Sequence, residues 1–167
     1  MTSQLAIHFS SETAEWYTPP RIIRRVLAVL GGIDLDPCAE PGRAIPAATH
    51  YTQEQNALQY GWHGRVYMNP PYGDVIGEWV NKLRTEYSAG RVTEAIALLP
   101  ARTDTAWMFP LLRDCPVCFV QARLRFSGHK SGAPFPSAVV YLGSHPNKFA
   151  LAFGDIGVVM QRQEPNP

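Results

Sequence analysis

Apolar positions along the chain fall into two periods, one helical and one of strands. In EWYTPPRIIRRVLAVLGG, residues Ile22, Ile23, Val26, Leu27 and Leu30 recur at helical spacing. Thr18 stands where an N-cap would, Pro19 and Pro20 suit a first turn, and Gly31-Gly32 stops the helix. A second stripe, Val75, Ile76, Trp79, Val80, Leu83 and Tyr87, predicts a helix closed by Gly90. DTAWMFPLLRDC predicts a short helix, kinked or broken near Pro110. Strands are predicted from Ile33 to Leu35, over GRVYM, and over TEAIALLP. VCFVQARLRF, PSAVVYLG and FALAFGD are further strand-like runs. A glycine-rich loop, SGHKSGAPFP, lies among the last of these, and the ends, 1–15 and 161–167, read as loose. Strands alternating with helices predict an α/β fold with a mainly parallel sheet covered by helices on both faces.

Composition narrows the class. A chain of 167 residues that is 46% hydrophobic and 17% charged fits a single globular domain spanning 1–167. Fifteen basic and 14 acidic residues leave a net charge of +1. That excludes a strongly basic coat but leaves room for a local basic patch. The amino-terminal stretch has no basic region followed by an apolar core, so it does not read as a signal peptide. No run of about 18 apolar residues predicts a membrane span. Three cysteines cannot all pair, and a reducing, cytoplasmic compartment is the default expectation. Cys115 and Cys118 form a lone C-P-V-C. It lacks the second pair of a zinc site and the helix start of a redox site, so burial in the core is expected. The histidines show no metal spacing, and no metal site is expected.

In a parallel sheet the ligand site lies beyond the carboxyl ends of the strands. Here those ends carry unusual punctuation: DPCA after the first strand, NPPY after GRVYM, and ARTD after TEAIALLP. Two prolines in a row end a strand, because neither has an N–H to donate. In Asn69-Pro70-Pro71-Tyr72 the Asn69 side-chain oxygen and the Pro70 carbonyl can converge on one NH2 group. An amide oxygen is not a general base, but it orients an amino lone pair by holding the N–H bonds. Tyr72 adds a flat stacking surface. Together they describe a clamp for a planar ligand with an exocyclic amine, which a duplex base reaches only when flipped out. The plain alternative is a stiff turn with a locally packed tyrosine.

The chain as a whole resembles a known family. NPPY at a strand end looks like the catalytic motif of amino-group methyltransferases that use S-adenosylmethionine. WYTPPRIIRRVLAVL resembles their segment contacting the methionine part of the cofactor, and LDPCAE their first cofactor motif. More narrowly, DLDPCAE, HYTQEQNAL, W-x-G-R-V, NPPYG, LLPARTDTAWMF and RLRF together resemble the small phage-type DNA adenine-N6 methyltransferase (Dam-like) family, from about Trp16 to Leu142. The resemblance implies a Rossmann-like methyltransferase fold, S-adenosylmethionine as cofactor and double-stranded DNA as substrate. It implies a catalytic role for Asn69, Pro70, Pro71 and Tyr72. It places Tyr17, Thr18, Pro19, Asp36, Pro37, Cys38, Ala39 and Asn56 at the cofactor, with Glu54 or Gln55 as candidates for the ribose hydroxyls. The sequence departs from the family where a Gly-rich continuation of the first motif is usual; it reads AEPGRAIPAA, so the cofactor loop is expected to run differently.

The remaining constellations keep two readings each. Arg102 touches a DNA phosphate or orders the pocket, or it is a solvated side chain beside a helix capped by Thr103 or Asp104. Arg123 and Arg125 alternate with Leu124 and Phe126, as a phosphate rail or a charge-protected edge strand. Lys130 and His129 lie on a substrate-facing loop or a plain connection. Arg21, Arg24 and Arg25 read as a solvated helix face. The leading function is site-specific methylation of adenine N6 in DNA. The alternatives are another sp2 amine (cytosine N4, an RNA base or protein glutamine) handled by the same clamp, or a non-catalytic module. The chain leaves little room for a separate recognition domain, so a short recognition sequence or a dimer is expected.

Overall fold

The computed structural model describes residues 16–162; of the ends expected to be loose, 1–15 and 161–167, all but 161 and 162 lie outside them. Helix α1 (Pro20–Leu30) leads into β1 (Ile33–Asp36) and β2 (Ala47–His50). β3 (Gly64–Met68), α2 (Ile76–Ser88), β4 (Val92–Pro100), α3 (Phe109–Asp114) and β5 (Val117–Val120) follow. β6 (Ser137–Leu142), α4 (Pro146–Phe153) and β7 (Gly157–Met160) complete the order.

The seven strands form one mixed sheet in the order β2-β1-β3-β4-β6-β5-β7. Pairings from β2 through β4 are parallel; those of β6 with β4, of β6 with β5 and of β7 with β5 are antiparallel. The expected mainly parallel sheet therefore holds in part: three of the six pairings are parallel and three antiparallel, with β6 and β7 running against the other five strands. The chain leaves β5 and returns into β6 at the same edge of the sheet, and a return at the same edge without a crossover helix forces antiparallel pairing.

Three local expectations are also corrected. FALAFGD is not a strand but mostly helix α4. Phe149 and Phe153, one helical turn apart, are both fully buried while Leu151 between them is 87% exposed. A short apolar run does not reveal its period until its partners are known. The RLRF stretch is not a strand either: β5 ends at Val120, and Ala122 takes φ 59°. Leu124 and Phe126 still turn inward and Arg123 and Arg125 outward. Thr18 does not cap α1; Pro19 occupies the cap position, and Thr18 serves elsewhere. Two strands were not foreseen: β2, inside the passage read as a loop, and β7.

Each strand alternates its side chains between the two faces of the sheet. On one face α1 and α4 bury Ile22, Val26, Phe149 and Phe153 against Tyr67, Ile96, Val139 and Tyr141. On the other, α2 and α3 bury Trp79, Leu83 and Leu111 against Val66, Met68, Ala97 and Val140, with Trp62 closing the end. Cys118 is buried and Cys115 half-buried, and burial pushes both thiols up to about 11. Among the described residues, no helix is long and apolar enough to cross a membrane.

Candidate active site

Strands β1, β3 and β4 run in the same direction and end at one edge of the sheet. Past β3 the chain enters Asn69-Pro70-Pro71-Tyr72. The Asn69 amide nitrogen donates to the Trp16 carbonyl at 2.5 Å and to Thr18 Oγ1 at 3.2 Å. A carbonyl only accepts, so this pairing settles which end of the amide is nitrogen. The other end, Asn69 Oδ1, is buried and has no hydrogen-bond partner among the described residues. Thr18 Oγ1 is itself held by the Tyr67 hydroxyl at 2.7 Å. A chain of polar groups, Tyr67–Thr18–Asn69, thus fixes the amide and leaves its oxygen as an acceptor with no partner among the described residues.

The Tyr72 hydroxyl donates to the Leu98 carbonyl on β4 at 3.2 Å, which fixes the ring beside the strand end. Its ring meets Phe135 edge-on at 5.3 Å. Trp16 stacks on His129 at 4.3 Å and meets Phe135 edge-on at 5.1 Å. Tyr72, Ile76, Pro100, Arg102, Trp107 and Phe135 surround a pocket of about 190 Å³ with Gly73 at its side.

At the end of β1, Asp36 is only 2% exposed, and burial pushes its carboxyl up to about 6. Its Oδ1 accepts the Cys38 N–H at 3.1 Å, closing the DPCA turn. Two backbone bonds pin that turn to the exit of β2: Ala39 N–H to the Tyr51 carbonyl at 2.9 Å and Tyr51 N–H to the Asp36 carbonyl at 3.0 Å. Pro37 and Ala39 are buried and Cys38 half-buried; burial, then the Asp36 charge, holds the Cys38 thiol well above the ordinary thiol range.

The structure brings most of the expected site residues to this edge. Tyr17 pairs with Ser127, whose N–H donates to the Tyr17 carbonyl at 2.9 Å, so the 127–136 loop is stitched to the segment before α1. Pro19 is buried at the head of that helix. Arg102 lines the pocket, while Arg123, Arg125 and Lys130 are exposed on the neighbouring loop. Asn56 stands farther round, on the β2 side, in a left-handed conformation (φ 50°) ahead of a single 3-10 turn that Trp62 fastens through Ala57. Gln55 is spent on the turn before it, accepting the Thr52 N–H at 2.9 Å; Glu54 is exposed. Neither Thr103 nor Asp104 caps α3: Met108 holds the cap position with no side-chain cap bond, and in the turn before it the Thr105 hydroxyl accepts the Met108 N–H at 3.3 Å. Sequence reasoning missed Tyr67, Trp107 and Phe135. Each read as an ordinary core or loop aromatic, and no local signal separates a ring that lines a pocket from one that fills a core.

A buried carboxyl at the end of β1, an amide with a buried oxygen at the end of β3 and aromatic walls at the end of β4 gather at one edge of the sheet, an arrangement that suits an amino-group methyltransferase. Comparison with family models makes the class particular. The chain belongs to the DNA N-6-adenine-methyltransferase (Dam) family, whose model matches residues 8–140. It is a DNA adenine-N6 methyltransferase, of an enzyme class that uses S-adenosylmethionine. Comparison with curated proteins found no match.

Proposed function

We propose that Asn69 with Pro70, Pro71 and Tyr72 forms the adenine-amine clamp of this enzyme, and that Tyr17, Thr18, Pro19, Asp36, Pro37, Cys38, Ala39 and Asn56 hold S-adenosylmethionine. The observation that carries the clamp is Asn69 Oδ1, buried with no hydrogen-bond partner among the described residues. An unsatisfied buried acceptor costs about 1–3 kcal/mol, a cost with a purpose if a ligand N–H completes it. The donor set fits the cofactor: a carboxyl buried with no ion-pair partner among the described residues suits a cationic ligand, and the DPCA turn closes beside it. When bound, S-adenosylmethionine supplies a methyl group already activated by the adjacent sulfonium.

The residues of the chain do the remaining work. Asn69 Oδ1 accepts one N–H of the flipped adenine, with the Pro70 carbonyl offered to the other. This turns the nitrogen lone pair outward and stabilises positive charge as it grows on the amine. The prolines hold the two acceptors apart without competing N–H groups. Tyr72, anchored on Leu98, gives the base its wall, with Phe135 and Trp107 across the pocket. The amine proton leaves to water, and positioning provides much of the acceleration. Arg102, Arg123, Arg125 and Lys130 contact phosphates of double-stranded DNA at the rim. The chain acts as one Rossmann-like domain in the cytoplasm, as a monomer or homodimer.

The test is a transfer assay with methyl-labelled cofactor and duplex DNA, followed by nucleoside analysis. Wild type is expected to yield N6-methyladenine. Near-normal turnover by a folded Asn69→Ala variant would remove the clamp assignment.

A further inference from the structure

The helix face that reads in sequence as solvated arginines is concave in the structure. Arg21, Arg24 and Arg25 on α1, with Leu151, Ala152 and Asp155 of the α4 side, enclose a groove of about 310 Å³. Arg25 is committed to its wall. Its two terminal nitrogens grip the Asp155 carboxylate at 2.6 and 2.9 Å, and one also donates to the Ala152 carbonyl. Asp155 is thereby neutralised, while Arg25 Nε stays buried with no acceptor among the described residues. Arg21 and Arg24 are exposed and form no ion pair among the described residues, so the groove carries two uncommitted positive charges.

Its position matters more than its charge. α1 starts two residues after Thr18, which bonds Asn69. At 1.5 Å per residue, Arg21 and Arg24 lie within roughly 6 Å of that start along the axis. The far wall is tied to the same edge, because Gln121 N–H donates to the Ile156 carbonyl at 2.8 Å, just before exposed Arg123 and Arg125. Toward the opposite edge of the sheet Asp34 pairs with Arg65, and Glu86 with Lys82 and Arg91, while Lys148 is exposed with no ion pair among the described residues. Arg21, Arg24, Arg123 and Arg125 are thus all exposed on segments that meet the methyl-transfer edge.

We infer that the α1–α4 groove is a second DNA-backbone contact, which grips phosphates of the duplex flanking the flipped adenine. This rests on the proposed site and extends it: the duplex runs across the 121–136 loop and onto α1, so the fold itself takes the place of a separate recognition domain. The ligand chemistry is the phosphate oxyanion, which arginine binds bidentately through its planar fork.

The test is equilibrium binding of a fluorescent duplex of about two helical turns across a salt series, with wild type, Arg21→Gln/Arg24→Gln and, as a control on the opposite edge, Lys148→Gln. Each lost phosphate contact removes about 0.9 from the slope of log affinity against log salt, so the double variant is expected to lose nearly 2. Its affinity at low salt should fall on the order of tenfold, with cofactor binding and the rate at saturating DNA unchanged. A wild-type slope in the folded double variant overturns the inference. So does a double variant that loses stabilisation by inorganic phosphate while keeping wild-type DNA binding, since the groove would then be a small-anion site. Asn69→Ala, run in parallel, keeps the wild-type slope but loses transfer, so failure of the clamp and failure of the groove give different results.

Discussion

Replacing Asp36 by Asn should make the free protein more stable and the enzyme worse. The carboxyl is 2% exposed and is raised by burial from 3.8 to about 6. In the unfolded chain it sheds its proton near 3.8; in the folded protein it keeps it until about 6. A raised folded-state value means the associated stability is fully present below about pH 4 and is lost as pH rises through 6. At about 1.4 kcal/mol per pH unit, the rise of about two units is worth about 3 kcal/mol as an upper figure. Asparagine keeps the oxygen that accepts the Cys38 N–H and has no charge to bury. Urea unfolding of the free protein from pH 4 to pH 8 should show the variant level with wild type at the acid end. The gap should open toward about 3 kcal/mol by pH 7, or roughly 6–12 °C in melting temperature for a chain of this size. Calorimetry should show the opposite for the cofactor. Affinity should drop at least about tenfold in the variant, and wild-type affinity should decline below pH about 6 as Asp36 takes up its proton. A gap that does not change with pH, or a variant less stable than wild type at pH 8, would refute the reasoning.

Three further outcomes follow from the same geometry. Asn69→Ala should cost about 10²–10³ in turnover, the usual worth of one positioned electrostatic group, with cofactor affinity retained. Single-turnover transfer with labelled cofactor measures it. Tyr67→Phe removes the hydroxyl that holds Thr18 and should lower stability by about 1 kcal/mol. It should also reduce the single-turnover rate severalfold by loosening Asn69, whereas a purely structural role would leave that rate unchanged below the melting temperature. Gly64 sits at φ 73°, and a Cβ there would meet Asp34 Oδ2 at 2.5 Å. Gly64→Ala should cost about 2 kcal/mol through left-handed strain and displacement of the Asp34–Arg65 pair. Specific activity at low temperature should stay normal because the site lies at the other edge; denaturant melts and activity on one preparation decide it.

Much of the site was legible because its parts are backbone devices. Proline pairs, an acid-proline turn and a glycine stop impose their geometry wherever they stand, so NPPY, DPCA and TPP could be placed at strand ends and a helix start before any contact was known. The helices over 20–30 and 76–88 were legible for a related reason: their apolar stripes run long enough to display a period. FALAFGD failed because a short apolar run satisfies strand and helix equally. RLRF failed because alternation of inward and outward side chains reports burial, not ladder pairing. Thr18 was read as a cap because local rules rank capping first. In the fold its hydroxyl meets Tyr67, which lies 49 positions away and leaves no trace in the neighbouring sequence.

By itself the sequence determined the class of fold, the order of most of its elements and the residue types that can hold an amine. Those follow from local steric rules and from periodicity. The tertiary structure alone decided that half the strand pairings are antiparallel, that Asn69 spends its nitrogen on Trp16 and leaves its oxygen without a partner among the described residues, and that Arg21 and Arg24 line a groove. Each of these depends on what a distant segment places opposite: the same-edge return into β6, the Trp16 carbonyl, and the end of α4. Side-chain direction and charge pairing are set by such long-range neighbours.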